Sequence, residues 1–140
     1  MKTTDLMIGD WTTIKGYNNK LKVVAINGET ITIADEDNHG ALGDYPVSAL
    51  DGIPLTPEIL EKNGFRDISS HTLKGCETFC LDIVQRGYKY RITIKLRGYF
   101  KLQSYDDRWY TLCEMEFGCS FVHELQHALK LCGIEKEIVL

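Results

Sequence analysis

The chain has 140 residues, 44% hydrophobic and 26% charged, enough for one core or for a small barrel with a compact second lobe. Its net charge of −4 is unevenly spread: residues 1–63 hold ten Asp and Glu against five Lys, while residues 64–118 hold nine Lys and Arg against seven acids. The acidic front half is a poor match for a phosphate backbone, no apolar run approaches the ~20 residues of a membrane span, and the first residues lead into no signal-peptide apolar stretch. The expected address is therefore cytoplasmic. Cys76, Cys80, Cys113, Cys119 and Cys132 are odd in number and irregularly spaced, so reduced thiols are expected, and Cys76-x-x-x-Cys80 lacks the spacing of a zinc knuckle.

In chain order, residues 1–52 read as four short strands. Ile8 to Ile14 comes first, then Leu21 to Ile26 and Thr30 to Ala34 flanking Asn27-Gly28, a pair that tolerates the positive φ of a tight hairpin. Tyr45-Pro46-Val47 supplies a fourth. Four short strands joined by tight turns suggest a small SH3-like β-barrel, since an open sheet of this size leaves both edges unpaired. Residues 53–65 read as a connector helix of about two turns, with Thr56 as N-cap, Pro57 at the first helical position, Leu55 and Leu60 as a hydrophobic staple, and Gly64 at the end.

Residues 66–140 read as an antiparallel β-meander packed on a C-terminal α-helix, which makes the whole chain α+β. From Tyr88 to Leu96 the sequence alternates, with Tyr90, Ile92, Ile94 and Leu96 on one face and Lys89, Arg91, Thr93, Lys95 and Arg97 on the other. Phe100 and Leu102 continue the apolar parity past Gly98, which excludes a two-residue turn at Arg97-Gly98 and leaves a bend or a three-residue loop pairing Leu96 with Phe100. Trp109 to Met115 is the last strand.

The helix from Phe121 to Cys132, with Ser120 as N-cap and Gly133 as terminator, carries His123-Glu124-x-x-His127, the spacing of a zinc-protease helix. With Leu125 at the centre of the apolar stripe and ~100° per residue, His123 falls near 160° and His127 near −160°, both facing away from the core. A catalytic zinc needs a third ligand and a cavity over this face. The residues after His127 offer only Glu135 and Glu137, and the upstream alternatives are His71, His39 or an acidic residue, while Cys119 could join the two histidines in weak transition-metal binding.

Three functions compete on these residues. The first is a non-enzymatic accessory or interaction module that binds a protein partner. The second is a small zinc hydrolase with His123 and His127 as ligands and Glu124 as general base. The third is a single-stranded nucleic-acid binder using Lys89, Arg91, Lys95 and Arg97 with Tyr88 and Tyr99 nearby. No Gly-rich phosphate loop is present, and no Ser or Cys sits in an activating context. The sequence favours the first, with no cofactor.

Three stretches, Met1 to Trp11, Ile53 to Phe65 and Val122 to His127, resemble a family of small uncharacterised proteins from gut anaerobes and their phages or mobile elements. The resemblance implies an intracellular bacterial or phage setting and carries no activity, substrate or site residue.

Overall fold

The computed structural model of the chain describes residues 1–69, 77–116 and 120–140. It is mixed α+β, and its strands form two five-stranded antiparallel sheets. The chain divides into two compact units, Met1–Pro54 and Leu55–Leu140, so the helix expected as a connector belongs with the second.

The first unit contains β1 (Trp11–Ile14), β2 (Leu21–Asn27), β3 (Thr30–Asp35), β4 (Ala41–Pro46) and β5 (Leu50–Gly52), ordered β4-β3-β2-β1-β5 in the sheet. The β2–β3 hairpin forms where the sequence places it. Asn27 pairs with Thr30 across a two-residue loop whose first residue, Gly28, has φ 61°. A side chain there would be strained, because that conformation brings Cβ too close to the backbone carbonyl.

Two details differ from the sequence reading. The first strand starts at Trp11, because Gly9 turns at φ 97° and the Asp10 carboxylate accepts the Met7 N–H at 2.6 Å. The fourth strand, expected at Tyr45 to Val47, runs over Ala41–Pro46 instead, and Val47–Ala49 is a 3₁₀ turn that feeds β5, a fifth strand that pairs with β1. Leu6, Leu21, Val23, Ile31, Ile33, Val47 and Leu50 form the core. Among the described residues β4 and β5 are the sheet's two edges, and no closed barrel is formed.

The second unit begins with α1 (Pro57–Lys62). Thr56 caps it by accepting the Ile59 N–H at 3.3 Å, and Leu55 and Leu60 are both buried, as a hydrophobic staple requires. The sheet follows: β6 (Arg66–Asp67), β7 (Thr78–Gln85), β8 (Tyr88–Lys95), β9 (Tyr99–Asp106) and β10 (Arg108–Met115), ordered β10-β9-β8-β7-β6. Arg86 and Gly87 both have positive φ and make the two-residue β7–β8 turn, which sets Gln85 opposite Tyr88. The β8–β9 loop is Leu96 to Gly98 and pairs Lys95 with Tyr99, so Phe100 lies opposite Ile94 rather than Leu96. The apolar parity is kept with the loop one residue earlier than the sequence reading put it.

This register separates two faces. Phe79, Ile94, Phe100 and Met115 align across the sheet, as do Leu81, Ile92, Leu102 and Cys113. Phe79, Ile92, Ile94, Phe100 and Leu102 are buried, together with Val122, Leu125, Ala128 and Leu129 of α2 (Val122–Leu131). The Cys132 and Cys113 thiols are neighbours, which puts the end of α2 beside β10.

Gly133 at φ 71° stops the helix in a Schellman motif, its N–H donating to Lys130 O and that of Ile134 to Leu129 O. The tail beyond is tied down. Gln85 donates to Gly133 O and accepts from the Glu135 N–H, while the Asn63 amide exchanges two hydrogen bonds of 2.8 Å with the Val139 backbone.

Candidate functional site

The face of the second sheet opposite the buried one holds the chemistry. One row across it reads Asp82, Arg91, Gln103, Thr111, and the next reads Cys80, Thr93, Lys101, Glu114. Lys89 lies opposite Val84, and Lys95 opposite Tyr99. In β10 an extra residue, Leu112, is inserted between the pairs Thr111–Gln103 and Cys113–Leu102. Such a bulge restores the apolar parity for Cys113 while leaving Leu112 exposed.

At the centre of this face Arg91 is held from two sides. Its Nε and Nη2 donate to the two Asp82 carboxylate oxygens at 2.7 and 3.0 Å, and its guanidinium lies 4.1 Å from the Trp109 ring centroid. The Lys89 ammonium sits 5.5 Å from the same ring and 5.6 Å from Tyr105, and the two rings tilt together at 5.2 Å. Arg66 approaches Asp82 at 3.7 Å and covers the buried Cys80, whose sulfur lies 3.9 Å from its guanidinium. The Arg91 hydrogen bonds hold the Asp82 carboxyl below its ordinary value, and the same bonds raise Arg91 further. Both groups are therefore charged at any physiological pH.

Of the four basic residues singled out by alternation, then, three stay on the outer face. Lys89 and Lys95 are exposed there and Arg91 is half-buried against its carboxylate. Arg97 leaves the row: it sits in the β8–β9 loop at φ 68°. Further along the face, the Tyr99 hydroxyl donates to Glu114, which pushes the phenol up to about 12. Asp82 and Trp109, which the sequence reading passed over, are the residues that organise the site. Asp82 was accessible to register arithmetic, since a two-residue turn at Arg86-Gly87 sets it opposite Arg91.

The histidine helix is arranged otherwise than the wheel implies. His123 is buried, and its ring stacks on Phe121 at 5.7 Å and 15°. A helical wheel treats the helix as an endless cylinder. In the first turn, however, the side chain leans back over the preceding residue, and Phe121, still extended, covers it. His127 is half-buried, edge-on to His123 at 5.8 Å. Phe121 rather than Ser120 is the N-cap residue, and the Glu124 carboxylate accepts its N–H at 3.0 Å, one half of a capping box.

Among the described residues no group of three His, Cys, Asp or Glu side chains is gathered as a metal site. His71, Cys76 and Cys119 lie outside the described residues, and His39 belongs to the first unit. No helix among the described residues is long and apolar enough to cross a membrane. No protein-family model, curated protein or solved structure matches the chain.

Proposed function

We propose that the chain is a non-enzymatic accessory module that binds a partner protein through the outer face of β7 to β10. The observation that carries this reading is the Arg91 guanidinium, locked between Asp82 and Trp109 on the face opposite the one that buries Phe79, Ile92, Ile94 and Phe100. Trp, Tyr and Arg are the residues that anchor protein interfaces, and an anchor already immobilised loses little side-chain entropy on binding. Val84, Tyr105 and Leu112 extend the exposed apolar area around it.

The first unit fits an SH3-like reading. Its support is the strand order β4-β3-β2-β1-β5 and the 3₁₀ turn between the last two strands. That likeness points to recognition only by fold analogy. A cytoplasmic bacterial or phage setting is proposed on the resemblance of those three sequence stretches alone.

The test is a selection of random peptides displayed on phage against the whole protein, run in parallel against Trp109→Ala. Peptides enriched by the wild type and not by the variant are expected. Enrichment of none, or of the same peptides by both, refutes the reading.

A further inference from the structure

The outer face carries more positive than negative charge, and two of its carboxylates are already engaged. Asp82 is taken by Arg91 and Arg66, and Glu114, opposite Lys101, accepts from Tyr99. Among the described residues Lys89 and Lys95 make no ion pair; Lys89 rests on Tyr105 and Trp109, and Lys95 is exposed. Both project from β8 on the same side as Arg91, at two- and four-residue intervals from it. Alternate residues of a strand recur about every 6.6–6.8 Å, so the three cations form a straight row about 20 Å long.

From this row we infer that the partner segment is an extended acidic peptide, with carboxylates set against Lys89 and Lys95 on either side of the Asp82-neutralised Arg91. This rests on the interaction-module reading and adds the chemistry of its ligand. A strand of the partner has the same repeat as β8, so carboxylates six residues apart meet Lys89 and Lys95 without strain in either chain. A single-stranded nucleic acid could satisfy the same charges, but it draws much of its affinity from bases stacked on open aromatic faces. Here the Trp109 ring is engaged by Arg91, Lys89 and Tyr105.

The experiment is fluorescence anisotropy with a labelled decapeptide carrying Glu at alternate positions, its Gln analogue, and a short oligothymidylate. The Glu peptide is expected to bind and the Gln analogue not. Lys89→Glu with Lys95→Glu, both exposed and so compatible with folding, weakens binding at least about tenfold, and raising salt from about 50 to about 200 mM weakens it several-fold. Equal binding of the Gln analogue, indifference to the double variant, or preferential binding of the oligothymidylate overturns the inference. Trp109-dependent peptides that carry no acidic residues would remove the acidic ligand and leave the interaction module standing. Failure to select any Trp109-dependent peptide removes the module itself.

Discussion

The two faces of the second sheet are made by the same strands in the same register, yet they are held by different physics. One face is aliphatic and phenyl side chains, with Phe79, Ile92, Ile94 and Phe100 wholly out of water. The other is a lattice of charges and rings in which each strong contact is a directed pair, such as Arg91 with Asp82, Arg91 with Trp109, and Tyr99 with Glu114. The difference teaches where stability and function separate. Burial on the first face is non-directional and scales with area. The directed pairs of the second contribute little net energy in water but hold cations and rings in fixed positions.

The contrast is broken most severely by emptying the buried face. Phe100→Ala is expected to cost about 3–5 kcal/mol in denaturant unfolding, while Lys101→Ala, next to it on the outer face, stays within about 0.5 kcal/mol. Comparable losses from both would mean that the outer face is also part of a packed core.

Asp82→Asn comes next, with an expected loss of about 1 kcal/mol at neutral pH, because Arg91 keeps its charge and loses its partner. Asp82 is held below its ordinary value, so its contribution is present above the unfolded carboxylate's value of about 3.9 and is lost as pH falls through the lower folded value. The stability gap between wild type and Asp82→Asn should therefore close in acid. A gap that persists there would assign the loss to packing rather than charge.

Tyr99 sharpens the comparison at the opposite end of the scale. Its phenol is raised to about 12, first by its hydrogen bond to Glu114. The pair's contribution is present below the free tyrosine's value of about 10 and is lost as pH rises through about 12. In an ultraviolet pH titration, Tyr99→Phe should remove the last tyrosine to ionise. The smallest effect belongs to Cys132, whose thiol is pushed up to about 11, first by burial. Alkylation at pH 8 should be much slower than for a free thiol, since the thiolate is the nucleophile. Rapid alkylation of Cys132 would place it outside the shelter of the helix end.

Much of the fold was legible in local pattern. Thr56-Pro57 announced α1, Asn27-Gly28 the first hairpin, the alternation from Tyr88 to Lys95 the two faces of β8, and Gly133 the end of α2. Each of these features depends on a few residues whose backbone preference or periodicity needs no distant partner. The site was less legible. Alternation marked Lys89, Arg91 and Lys95 as facing outward, but it could not show that Arg91 is already neutralised or that Arg97 turns away. The pairing with Asp82 needed the register of the Arg86-Gly87 turn, and the stacking with Trp109 needed two further strands and a bulge.

Sequence alone, then, determined the α+β class, the two helices and which side chains of β8 share a face, because 3.6-residue and two-residue periods are properties of the chain itself. Tertiary structure decided the rest. It put β5 beside β1, folded Phe121 over His123, and brought Asp82, Arg91 and Trp109 from three strands into one cluster. Those outcomes depend on which strands pair and how the chain covers a helix end, and such contacts join residues far apart in sequence that no local preference encodes.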